Sequence, residues 1–211
     1  MKFIIAALMF FSLPVWAQGD VFNYPLRPEN MPAFEMTSAR LSEHPIVRGN
    51  FEQEKVLSRF GRSLRSSGYF IIVSELGMVW DTVRPFPSTL VLGKDYFVQF
   101  RPGGQRTVLN AAGNETFLGM ADVISAVFSG NIRGLLDNFE VFYSGTTSAW
   151  EMGLLPLNVA IAAFAGRIVM TGDNAIRSIV IHEQNGDSII YILSNHSYPR
   201  ELSVHERAFF E

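Results

Sequence analysis

The sequence predicts a mainly β fold with a few short helices, an α+β arrangement of about eleven antiparallel strands. Three observations lead there. Runs rich in β-branched and aromatic residues, bounded by Gly, Pro and Asn, recur along most of the chain. Two-residue turn signals, Gly93-Lys94 and Asn185-Gly186, join such runs into hairpins. Helical spacing is confined to a few stretches, and no helix alternates with single strands, which argues against a parallel sheet. An antiparallel sheet this wide must curl or close, which leaves the interposed helices to cover one face.

Residues 1–17 read as a cleavable secretory signal. Met1-Lys2 precedes an uncharged apolar run from Phe3 to Leu13, and Val15-Trp16-Ala17 supplies small residues at the cleavage positions. The run is too short to span a bilayer, which takes about 20 residues. Residues 18–45 form an extended, mobile lead-in, rich in Pro, Asn and Gly, followed by a short helix over Ala33–Glu43 that stops before Pro45.

Strands follow. Ile46–Leu57 alternates, with Val47, Gly49, Phe51 and Gln53 on one side and Arg48, Asn50, Glu52 and Glu54 on the other. "SRFGRSLRSSG" reads as a basic connection, a wide hairpin before "YFIIVS". "GMVWDTV" runs to the corner Arg84-Pro85-Phe86-Pro87, whose prolines keep the chain extended and remove ladder donors. "STLVL", "DYFVQF" and "RTVLN" complete the first set of strands. From Asn114, a reasonable N-cap, Phe117, Met120, Ile124 and Phe128 recur at helical spacing. "NIRGLLDNF" is a second short helix. Strands resume with "EVFYSG", "TSAWEMGLLP" and "RIVMTGD", and "LNVAIAAFAG" reads as a short helix or a buried strand start. The strongest hairpin, "AIRSIVIHEQNGDSIIYILSN", precedes a tail of unassigned form.

Composition narrows the chemistry. The formal charge is −3, which gives no basic bias toward nucleic acid. With no cysteine, thiolate catalysis, disulfides and lipid attachment at a cysteine are excluded. The four histidines, His44, His182, His196 and His205, never fall at paired ligand spacing, so no metal or other cofactor is expected. No nucleophile elbow and no phosphate-binding glycine loop is present. Phenylalanine accounts for 18 of 211 residues and mean hydropathy is +0.17, an apolar load that fits either an apolar pocket or a plain core.

Three blocks together resemble the periplasmic carriers of outer-membrane lipoproteins, the LolA-type family. They are "VRGNFEQEK", "GYFIIVSELGMVWDTVRPFPSTLVLG", and "WEMGLLP" with "IVMTGDNAIRSIVIHEQNGDSIIYIL". The match runs from Val47 to Leu193 and is carried by the order and spacing of the blocks. The resemblance implies an unclosed antiparallel barrel over residues 46–211, wrapped over short helices, with a helical lid near 115–137 and an apolar cavity between. It implies a cavity lined by Phe51, Phe70, Ile72, Met78, Trp80, Leu90, Leu92 and Phe97, with Phe117, Met120, Ile124 and Phe128 under the lid. It also implies a non-enzymatic monomer in the periplasm of a Gram-negative type cell. Such a carrier takes acyl chains of a lipoprotein or another lipid from an inner-membrane transporter and passes them to an outer-membrane acceptor. Where the family commonly carries a basic residue and proline, this chain has Ser74-Glu75.

Two other readings compete. One is a non-catalytic interaction domain whose apolar residues are all core. The other is a periplasmic hydrolase using scattered carboxylates, such as Glu75 with Asp81.

Overall fold

The computed structural model describes residues 20–93, 96–103, 105–110, 132–163 and 165–211. The signal segment 1–17 and the lid residues Phe117, Met120, Ile124 and Phe128 lie outside them. One eleven-stranded sheet dominates. Its strands are β1 (Ile46–Leu57), β2 (Arg62–Val73), β3 (Gly77–Arg84), β4 (Ser88–Leu92), β5 (Tyr96–Arg101), β6 (Gln105–Asn110), β7 (Phe139–Thr146), β8 (Ala149–Pro156), β9 (Arg167–Gly172), β10 (Ile176–His182) and β11 (Ser188–Ser197). Helices α1 (Met31–Leu41), α2 (Ile132–Asn138), α3 (Val159–Ala162) and α4 (Val204–Arg207) are short.

The order across the sheet is β6-β5-β4-β3-β2-β1-β11-β10-β9-β8-β7, antiparallel throughout. Every neighbour is also a chain neighbour except β1 and β11. That long-range pair zips two meanders into one sheet, and β6 and β7 remain unpaired with each other. The sheet is therefore an unclosed barrel, as expected for this strand pattern.

Two expectations need correction. The basic stretch after β1 is not a wide connection. A 3-10 turn at Ser58–Phe60 and the left-handed Gly61 reverse the chain, and β2 begins at Arg62. Arg62–Ser67 pairs residue by residue with Leu57–Glu52, helped by Arg65 and Glu54, so backbone ladder and charge override a sequence that reads as loop. The lead-in is also seated rather than mobile. Leu26 N–H donates to Val141 O and Tyr143 N–H to Tyr24 O, each at 2.9 Å, so Tyr24–Leu26 shields the edge of β7. Asn30 Nδ2 donates to the carbonyls of Pro25 and Tyr143 and holds this segment down.

Opposed residues of an antiparallel ladder share a face. The concave face carries Val47, Phe51, Phe70, Ile72, Met78, Leu92, Leu193, Met170, Met152 and Leu154, all buried in one continuous cluster. Under β7–β9 that cluster is closed by Phe34 of α1, Leu135 of α2 and Ile161 of α3. A smaller cluster, Val79, Val91 and Val98, lies on the convex face and is covered by Phe209 and Phe210 of the C-terminal tail.

Candidate functional site: the concave face of β1–β5

The eight described cavity candidates fall into register. Phe70, Trp80 and Leu90 form one cross-strand row, and Ile72, Met78, Leu92 and Phe97 form the next. Phe51 sits opposite Leu193 on β11. Phe51, Phe70, Ile72, Met78 and Leu92 are buried, whereas Trp80, Leu90 and Phe97 are only half-buried on the same face. The bulge between β2 and β3 at Ser67–Gly68 shifts register without moving Phe70 and Trp80 off this face.

Trp80 is the centre of an aromatic group. Its ring stacks on Phe51 at 4.1 Å and 24°, lies nearly parallel to Phe70 at 6.0 Å, and meets Tyr191 edge-on at 5.3 Å. Two glycines make room. Gly49 stands opposite Phe70 and Gly68 opposite Phe51, so each ring spreads over a residue without a side chain. A Cβ on Gly49 would lie 2.5 Å from the Phe70 ring.

Polar groups mark one end of this face. Along β1, Phe51, Gln53 and Lys55 alternate inward, and Lys55 Nζ pairs with Glu183 Oε1 at 2.9 Å. Tyr191 lies between this pair and Trp80, and burial together with the Glu183 charge pushes its phenol up to about 12. Tyr191 therefore stays neutral over the working range, an amphipathic wall element rather than an acid or base. Among the described residues no group of His, Asp and Glu is placed to hold a metal ion.

Sequence reasoning missed the other half of the wall: Tyr191, Leu193, Ile179, Met170, Met152 and Tyr143. β11 reads "SIIYILS", with Ile190 and Ile192 as apolar as Tyr191 and Leu193, so alternation alone does not tell which set faces in. Ser74-Glu75 lies in the β2–β3 turn, where Ser74 N–H donates to Pro45 O at 3.0 Å and Glu75 is exposed.

No protein-family model matches the chain, and no curated protein does. Solved structures similar to it include a LolA superfamily protein from Nitrosomonas europaea, with a TM-score of 0.49 and 8% identity over 86% of this chain and 96% of that one. A DUF1329 family protein from Desulfovibrio piger aligns with a TM-score of 0.47 and 10% identity over 85% of this chain and 96% of that one. A domain described as an outer membrane lipoprotein-sorting protein from Vibrio parahaemolyticus aligns with a TM-score of 0.44 and 8% identity over 86% of this chain and 99% of that one. At identities this low, the chemistry of the site has to be judged on this chain's own side chains.

Proposed function

We propose that this protein is a non-enzymatic periplasmic carrier that holds the acyl chains of a lipoprotein, or of a related lipid, against the concave face of β1–β5. The observation that carries this reading is Trp80. A half-buried indole stacked on Phe51, beside half-buried Leu90 and Phe97, leaves apolar surface uncovered on a wall whose Phe51, Phe70, Ile72, Met78 and Leu92 are buried. Away from the Gln53, Lys55 and Tyr191 end, the wall offers aliphatic, aromatic and thioether groups, which suits chains of variable length.

The energetics fit. Burial of one methylene is worth ~0.8 kcal/mol, so an acyl chain outside a membrane needs on the order of 10 kcal/mol of compensation. The half-buried Trp80, Leu90 and Phe97 offer contact of that kind. Transfer from an inner-membrane donor to an outer-membrane acceptor is what the sequence resemblance implies. With no nucleotide motif in the chain, direction comes from partners that bind empty and loaded forms differently.

Delipidated protein titrated with a fluorescent fatty-acyl probe tests the proposal. Saturable uptake is expected, with Trp80→Asp weakening it at least about tenfold, because a carboxylate on the wall must be desolvated when a chain lies over it. Unchanged affinity in Trp80→Asp removes the cavity assignment. Absence of saturable uptake favours a domain whose apolar residues are all core.

A further inference from the structure

We propose that the end of the sheet carrying the β1–β2 hairpin is a docking surface for an anionic phospholipid membrane. Strand directions bring the β1–β2 tip, the β3–β4 corner, the β10–β11 turn and the α3 connection to this one end. They are tied into a single rim. Ser58 N–H donates to Asp187 and its hydroxyl to Gly186 O, and Gln184 Nε2 donates to Ala162 O.

The rim is apolar where a soluble tip would be polar. Phe60 is 68% exposed, Leu64 59%, Phe86 82% and Val159 84%. Between these side chains stand Arg59, Arg62, Arg65 and Arg84, all exposed. Arg65 shares Glu54 at 3.3 Å, and the neighbouring acids Glu183 and Asp187 are engaged by Lys55 and Ser58. The whole chain carries −3, so this arginine group runs against the molecule's own charge balance.

Large apolar side chains alternating with arginines suit the headgroup boundary of an anionic bilayer, where rings enter the interface and guanidinium groups stay at phosphate level. An acidic protein fits less well. Behind the tips a groove of about 650 Å³ runs between Arg65 and Arg84, and Glu52 and Glu54 line it. A protein filling that groove would meet those carboxylates, whereas a lipid surface touches the projecting tips alone. This surface is independent of what the concave face holds.

The test is co-sedimentation of the full chain with vesicles of phosphatidylcholine alone and of phosphatidylcholine with equal phosphatidylglycerol. Binding is expected on the mixed vesicles only, falling as salt is raised. Arg62→Gln should lower partition about fivefold, the fold-change for one cation at an anionic surface. Phe60→Ser should lower it at any salt. Both sites are exposed, so circular dichroism and acyl-probe uptake should stay at wild-type levels in both variants. Equal partition on the two vesicle types, or wild-type partition of both variants, overturns the proposal. So does binding to polyglutamate without binding to mixed vesicles, which would assign the rim to an acidic protein.

Discussion

Gly49 opposite Phe70, and Gly68 opposite Phe51, set how closely the aromatic rings lie on β1 and β2. Gly49→Ala forces the Phe70 ring or Ser194 O to move, at a cost of about 1–3 kcal/mol in a urea titration. The same change should weaken acyl-probe binding, because Phe70 supports Trp80; wild-type affinity would separate the rings from the site. His196 supplies a pH-dependent term. Its Nδ1 accepts from Arg177 at 3.2 Å, and its Nε2 is buried with no hydrogen-bond partner among the described residues. Burial first, and then the Arg177 charge, hold its pKa below the ordinary 6.5. Between the two values the unfolded chain binds more protons. Its stabilising contribution is full above 6.5 and is lost as pH falls through the folded value. His182 is depressed as well, by burial and then by Arg167, with the same sign. The urea midpoint should therefore drop between about pH 7 and pH 5, and less so in His196→Phe. A flat midpoint would contradict the assigned environment.

At the scale of elements, α1 and the C-terminal tail have distinct roles. Thr37 of α1 and Tyr143 of β7 share a buried hydroxyl–hydroxyl bond at 2.7 Å, and Phe34 meets the same tyrosine edge-on at 5.9 Å. Tyr143→Phe leaves the Thr37 hydroxyl unpaired and should cost about 1–3 kcal/mol. Adding Thr37→Val should recover part of it, and a strictly additive double-mutant cycle would deny the bond. In the tail, Ser203 accepts from Glu206 N–H, and Glu206 reaches back to Ser203 N–H, a complete capping box. Glu206 also pairs with Arg48, which anchors Phe209 and Phe210 over Val79, Val91 and Val98. Ser203→Ala should cost about 1 kcal/mol, and Phe210→Ala about 1–2 kcal/mol, near half the value of full ring burial. Most strands were legible from alternation and turn residues, and Asn185-Gly186 marked its hairpin correctly. The tail was not legible, because four helical residues give no periodicity and their partner valines lie more than a hundred positions away. Nor was the seat of the lead-in, which is held by backbone bonds to β7 that no side-chain pattern announces.

For the whole molecule, the pairing of β1 with β11 converts two meanders into one curved wall. The breadth of that wall was readable in strand number. The joining of first and last strands was not legible, since pairing across the whole chain leaves no local mark. The cavity candidates on β1–β5 were brought to one face because ladder register carries each inward position to its neighbour. Those on β8–β11 escaped notice because both faces of β11 are apolar. If the wall takes an acyl chain as proposed, filling it adds stability. A bound acyl ligand at about 100 times its Kd should add about 2.7 kcal/mol and raise Tm in a concentration-dependent way. Trp80 reports directly on whether the wall is filled. A fatty acid brominated along its chain quenches indole only at contact; in the chain from Gln18 onward the other indole is Trp150, which is 3% exposed and locked by its Nε1 donation to Asp173 O. If the concave face of β1–β5 holds acyl chains, the brominated acid will quench wild-type fluorescence in a saturable way, and the quench will be absent from Trp80→Phe. Saturable binding of the acid without quenching of Trp80, or quenching that persists in Trp80→Phe, would contradict it.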